Sequence, residues 1–219
     1  MQQNTPNFVT KPIAWGGWAL AAALAGFMAL SGFQTPASKV GIIDMDKVIF
    51  ESEMGKKNAD DLEAAVKSRQ GVLEFAQTHR VLTLEQAQEL KNLSIKPTLT
   101  DQEKQKLDKV RADVIQAAKN FDSLNQKSNP TEEDRNLLQE YNGRIQTTGN
   151  LLSEWNQQFQ QELEALRNKM IQDSTTRANQ ILKDLAKKEG YSTVFLSRVA
   201  PYAANDLTDS VVKSMNAPR

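Results

Sequence analysis

The sequence predicts a mainly α-helical protein with a small β body, from which a long helical hairpin, coiled-coil-like in its spacing, projects as an arm. Three observations carry that expectation. Residues 131–190 contain no proline and keep a helical apolar stripe throughout. Two β-rich runs, Lys39–Met45 and Tyr191–Ser197, lie near opposite ends of the chain and are too short to read as helices. Between them the outgoing segment is amphipathic but interrupted, so it reads as a broken partner for the long return helix.

The return helix sets the scale. Its apolar positions step through Ile145, Thr148, Leu152, Trp155, Phe159, Leu163, Leu166 and Met170, at intervals of 3, 4, 3, 4, 4, 3 and 4. That spacing averages between the 3.5 of a left-handed coiled coil and the 3.6 of a straight helix. At 1.5 Å per residue the stretch would reach roughly 90 Å. A single stripe on so long a rod needs a partner to cover it.

Composition bounds the function. Over 219 residues, Lys+Arg 27 balances Asp+Glu 27, aromatic content is 6% and charged residues make up 25%. A chain with no positive excess is a poor candidate for nucleic acid. The absence of cysteine excludes disulfides and thiol chemistry.

Residues 1–37 read as a signal peptide or an N-terminal membrane anchor. Ile13–Phe33 carries no charge, and Lys11 lies just before it. Such a run is long for a signal peptide and long enough to span a bilayer. Small residues allow cleavage after Ser31 or after Ala37; the alternative is an uncleaved anchor. Either outcome exports everything from Ser38 onward, so the expected location is the periplasm, with contact to the membrane only through a retained N-terminus.

The elements then follow in order. Val40, Ile42 and Ile43 favour a strand, after which Asp46 is expected to cap a helix running through Phe50 and Met54, with Gly55 offering a kink. From Lys57 the apolar positions Leu62, Val66, Leu73, Phe75 and Ala76 fall at helical spacing. Thr83 with Gln86 and Thr100 with Glu103 have the spacing of capping boxes. Asn129, Pro130 and Glu132 supply a third helix start, with proline at its first position. KPTLTDQEKQKL and NPTEEDRNLL echo one another about 31–33 residues apart and mark two helix starts built alike. The hairpin tip is placed near 128–131, with slack in the outgoing path taken up by a break near 79–100; a tip near Pro97 would leave the return arm far too long. Gly190 suits a helix C-cap. Thr193–Ser197 and Val199–Ala203 read as two strands, the second confined to an edge by Pro201, and Leu207–Met215 reads as a final helix capped by Asn205 or Asp206. The body thus spans 38–56 and 190–219, and the arm 57–189.

No constellation for catalysis is legible. His79 is the only histidine, with no cysteine to join it in a zinc site. Acidic pairs such as Asp60-Asp61 and Glu132-Glu133 sit in expected first turns, where the helix dipole favours them. The basic run Lys104, Lys106, Lys109 and Arg111 is interleaved with acids and reads as a salt-bridged face. No phosphate-cradling glycine motif follows a strand. No catalytic, cofactor or metal residue is therefore assigned. Gly143 and Gly149 fit either a soft section of the arm or two tolerated glycines in an exposed helix.

At the two ends the sequence resembles the Skp/OmpH family of periplasmic outer-membrane protein chaperones. KVGIIDMDKVIFESEMGKK (Lys39–Lys57) matches the family's strand and short helix before the arm. GYSTVFLSRVAPYAANDLTDSVVKSMN (Gly190–Asn216) matches its rear strands, a strand tyrosine (Tyr202) and its last helix, opened by Asp206 and Thr208. The resemblance implies a homotrimer whose arms enclose a cavity that holds unfolded outer-membrane proteins without ATP. It implies body contacts among Val40, Ile42, Val194, Leu196 and Tyr202. For the arm, the candidates for client contact are Phe75, Tyr141, Leu152, Trp155 and Phe159, which alternatively only pack against the outgoing arm. The best-studied members are strongly basic. Here Lys11 is the only charge in residues 1–37, so the remainder holds 26 Lys+Arg against 27 Asp+Glu, and lipopolysaccharide binding is not implied. The other function weighed is a membrane-anchored coiled-coil spacer of the envelope.

Overall fold

The computed structural model describes residues 39–202 and 204–218. Ile13–Phe33 and both expected cleavage points lie outside them. The described chain runs β1 (Lys39–Ile43), α1 (Met45–Glu51), α2 (Glu53–Thr78), α3 (Leu84–Ser94), α4 (Asp101–Asn125), α5 (Glu132–Glu189), β2 (Tyr191–Leu196) and α6 (Thr208–Met215). Long helices dominate, and the sheet has only two strands.

β1 and β2 pair in parallel, with Val40 opposite Thr193 and Ile43 opposite Leu196. The far side of β1 is closed by the chain before α6. Ile42 N–H donates to Asn205 O (2.8 Å), and Leu207 N–H donates to Ile42 O (2.9 Å). The expected strand Val199–Ala203 does not form: residues 197–199 and 201–202 are turns, and Ala203 is outside the described residues. Val199 N–H and Ala200 N–H instead bond back to Leu196 O (2.8 and 3.2 Å), curling the chain off the end of β2.

The start of the arm also differs from expectation. Asp44, not Asp46, caps α1, its carboxylate accepting from Lys47 N–H at 3.0 Å. The helix then breaks at Ser52 rather than kinking at Gly55. Ser52 is extended (φ −66°, ψ 154°), and its Oγ accepts from Gly55 N–H, capping α2. This break brings the chain so close to itself that a Cβ on Gly55 would lie 1.9 Å from Ile49 O. The glycine serves close backbone approach, not flexibility.

The body core joins Ile43, Val48, Ala178, Leu207, Val211 and Met215, with Ile181, Leu182 and Leu185 packed against it. α5 therefore enters the body along its last four turns. It ends at Gly190 in the left-handed region (φ 76°), where a side chain would be strained.

In the arm, α2 lies along α5, and the outgoing chain then folds back. α3 returns toward the body, α4 heads outward again, and residues 126–131 turn into α5. Thr131 caps α5 by a capping box with Asp134. The helix starts there rather than at Pro130, because the threonine hydroxyl and the aspartate reciprocally satisfy the terminal N–H groups.

Replacing Gly55 with alanine should destabilise the protein by about 1–3 kcal/mol, since the clash is with backbone that no rotamer can relieve. Calorimetry at fixed protein concentration would show a lowered Tm; an unchanged Tm would mean that the Ser52 break does not form as described.

Candidate functional site

The widest part of the arm is a four-helix section around one apolar cluster. Val72 and Ala76 of α2, Leu82 before α3, Ala87 and Leu90 of α3, and Leu107, Val110 and Val114 of α4 surround Trp155 and Phe159 of α5. Each set follows helical spacing, as with Leu107, Val110 and Val114 at i, i+3 and i+7. Trp155 is 4% exposed and Phe159 2%. The arm candidates separate accordingly. Trp155 and Phe159 sit inside the cluster, with Phe75, Leu151 and Leu152 packed against it and half-buried. Tyr141 is buried further toward the tip, edge-on to Phe121 with centroids 5.8 Å apart.

A polar chain runs beside the cluster and joins three helices. Lys91 Nζ of α3 donates to Gln158 Oε1 (2.7 Å), and Gln158 Nε2 donates to Glu162 Oε1 (2.8 Å). Arg69 of α2 donates to Glu162 Oε2 through both Nε (3.2 Å) and Nη2 (2.9 Å). The two cations also sit over the aromatic faces. Lys91 Nζ is 5.8 Å from the Trp155 ring centre, and the Arg69 guanidinium is 5.6 Å from that of Phe159. Nothing in the sequence pairs Lys91 with Gln158 or Arg69 with Glu162, which lie far apart in the chain. The apolar spacing of Leu82, Leu90, Val110 and Val114 was the one available signal for the rest of the cluster.

Between the cluster and the body, α5 is less fully covered. Leu163, Leu166 and Met170 are half-buried. Leu166 and Met170 line an open groove with Ala64, Ala65, Ile95 and Pro97. Met170 also lines a second, mostly apolar groove at the arm root, with Phe50, Ala59 and Leu62.

The two turns that shape the arm are built on one plan, 31 residues apart. In the first, Lys96 Nζ and the Thr100 N–H both bond the Glu103 carboxylate (2.6 and 2.9 Å). In the second, Lys127 Nζ and the Thr131 N–H bond Asp134 (2.5 and 2.7 Å). The ammonium first, and the cap N–H next, hold each carboxyl down to about 2. This is the physical content of the KPTLTDQEKQKL and NPTEEDRNLL echo.

Of the body candidates, Ile42 is buried, Val40, Val194 and Leu196 are half-buried, and Tyr202 is 98% exposed. Val199 (67%) and Phe50 (60%) are exposed as well. The body thus joins some of the candidates through the sheet and leaves Tyr202 standing outside it.

A helical arm rooted in a small body with a parallel two-stranded sheet, and thickened around a buried aromatic pair, defines this as an arm-bearing, coiled-coil type of protein. The chain belongs to the OmpH-like family: the family model described as Outer membrane protein (OmpH-like) matches residues 83–215, more than half of its length. The match takes in α3, α4, α5 and the rear of the body, whereas the Lys39–Lys57 segment lies outside it. No curated protein matches the chain, and no solved structure does. Membership supports a chaperone-type role toward outer-membrane proteins, in a family that is periplasmic and not enzymatic. Among the described residues, no helix is long and apolar enough to cross a membrane.

The turn carboxylates make the arm sensitive to acid. Both are held below their unfolded values, so their contribution is complete above pH of about 5 and is lost as pH falls toward 2. In carboxyl-detected NMR, Glu103 and Asp134 should titrate near 2. Lys96→Ala should move only the Glu103 midpoint upward; no movement would remove Lys96 as the cause.

Proposed function

We propose that this protein is an ATP-independent periplasmic holdase chaperone, which keeps unfolded outer-membrane proteins from aggregating in a cavity between its helical arms. The observation that carries the reading is the family match on a chain whose α5 runs 58 residues, from the tip into the body core. At 1.5 Å per residue such a helix reaches about 87 Å. Only its last turns are used by the body core; the remainder carries the arm, which exposes one side of its length outside the body to a large client.

The reading extends to a homotrimer assembled through the body. The two-stranded sheet is small, its β2 edge carries no further strand among the described residues, and the body exposes Phe195, Val199, Tyr202 and Phe50. Sheets of this size are marginal alone, and large apolar groups gathered on a small body favour association. Val40, Ile42, Val194, Leu196 and Tyr202 remain the residues proposed to support that association, with Tyr202 the outermost. The N-terminal residues 1–37 export the chain, either as a cleaved signal peptide or as a retained anchor. A retained Ile13–Phe33 favours the second reading, a membrane-anchored spacer of the envelope.

Clients are held mainly by apolar contact, because the charge balance leaves little net attraction for salt to screen. The chain from Ser38 should suppress aggregation of a urea-denatured outer-membrane barrel protein without ATP, with an apparent affinity that changes little between low and physiological salt. Failure to suppress at a molar excess in either buffer would reject the chaperone; suppression that collapses with modest salt would reject the apolar mechanism alone.

Light scattering on the same chain should return three times the monomer mass, and Tyr202→Asp should lower it while leaving the helical circular dichroism intact. A wild-type monomer at micromolar concentration contradicts the trimer.

A further inference from the structure

The residues of the arm best suited to hold an apolar client, Trp155 and Phe159, are covered in part by the chain's own α3, whose Lys91 lies over both rings. We propose that α3 is a displaceable strap: it undocks from α5 to open the Trp155–Phe159 surface, and an apolar segment of an unfolded outer-membrane protein takes its place. The inference rests on the chaperone reading above and adds to it a gated binding surface within one arm.

Several features make α3 the element that gives way. It is 11 residues long, shorter than a helix that persists alone in water, so its order depends on docking. A non-helical segment at 95–100 follows it and can absorb a swing, while residues 79–83 before it are anchored by the buried Val81 and Leu82 and form the pivot. The fully buried face of α3 is only Ala87 and Leu90, with Leu93 packed half-buried beside them. Among the described residues, its one side-chain hydrogen bond to α5 is that of Lys91 to Gln158. Its attachment to α4 is stronger, through Glu89 with Lys106 and through the Lys96–Glu103 turn. α3 therefore moves with the first turns of α4 as one elbow, leaving α2 on α5 through Arg69 and Glu162.

The docked state is also imperfectly satisfied. Ser94 Oγ at the end of α3 and Arg111 Nε on α4 are buried with no hydrogen-bond partner among the described residues. Burying polar groups without partners costs stability, and it weakens this layer relative to the paired α2–α5 contact. A client that binds only the open arm then competes directly with α3, and its affinity is reduced by the fraction of arms that are open.

The test uses the full chain, which has no native cysteine. Lys91→Cys and Gln158→Cys are introduced together and either bridged by a short bis-maleimide or capped singly with N-ethylmaleimide. In hydrogen exchange without client, amides of residues 84–94 should exchange at least about tenfold faster than those of 150–165, as expected for an element that opens on its own. The bridge should slow them. Equal protection of the two segments in the unbridged protein overturns the strap. Against a urea-denatured outer-membrane barrel protein, the bridged form should hold markedly less than the capped form, and Lys91→Ala should bind faster than wild type. Equal holding by bridged and capped forms overturns the strap while leaving the chaperone standing. No holding by wild type or by the capped form overturns the chaperone reading, and the strap with it.

Discussion

The parallel pairing of β1 with β2 is the constraint on which the rest of the molecule depends. Parallel strands cannot be joined by a tight turn, because the chain must return to the end at which the first strand began. Here the crossover is the whole arm. The chain leaves the sheet at Ile43, and must come back to pair Tyr191 with Lys39. The last turns of α5 make that return, and Ala178, Ile181, Leu182 and Leu185 fill the body core as they pass. One continuous helix is thus part of the body and the spine of the arm. Lys39 closes the arrangement, its ammonium bonding Glu189 O and lying 4.0 Å from the Tyr191 ring centre.

That geometry explains why the break at Ser52 matters. α1 belongs to the body, where Val48 and Ile49 are buried, whereas α2 must run along α5. The two directions cannot be served by one straight helix. Ser52 ends the first and caps the second, while Glu53 N–H donates to Asn216 Oδ1 beyond α6 at 2.8 Å. Asn58 Nδ2 then bonds Ser174 Oγ at 3.0 Å, tying the two long helices together where they leave the body. Rigidity at this root, rather than along the arm, sets the direction in which the arm points.

Farther out, the outgoing path has more residues than α5 needs as a simple partner. The surplus folds into α3 and the near half of α4, which thicken the arm around Trp155 and Phe159. An arm of two helices alone would leave those rings on its surface. The added layer covers them with Leu90 and Val114 and sets Lys91 over the rings. Burial on this scale contributes substantially to arm stability, on the order of 1.5–3 kcal/mol for each large apolar side chain. It also converts a permanently exposed surface into one that depends on the position of α3.

Much of this was legible in the residues themselves, because local signals need no partner. The period of α5, the capping boxes at Thr83 and Thr100, the left-handed cap at Gly190 and the brevity of the terminal β runs are set by neighbouring residues along the chain. The wrong expectations came where distant groups compete. Val199 has strand propensity, yet its N–H is taken by Leu196 O. Pro130 suits a first helical position, yet Thr131 and Asp134 outbid it with Lys127. Asp46 suits a cap, but Asp44 lies where Thr208 Oγ1 accepts its N–H and positions the turn. Tertiary structure alone set the burial of Trp155 and Phe159 inside the arm. A helical stripe records which residues seek cover; only the fold-back of α3, fixed by contacts distant in sequence, determines what covers them.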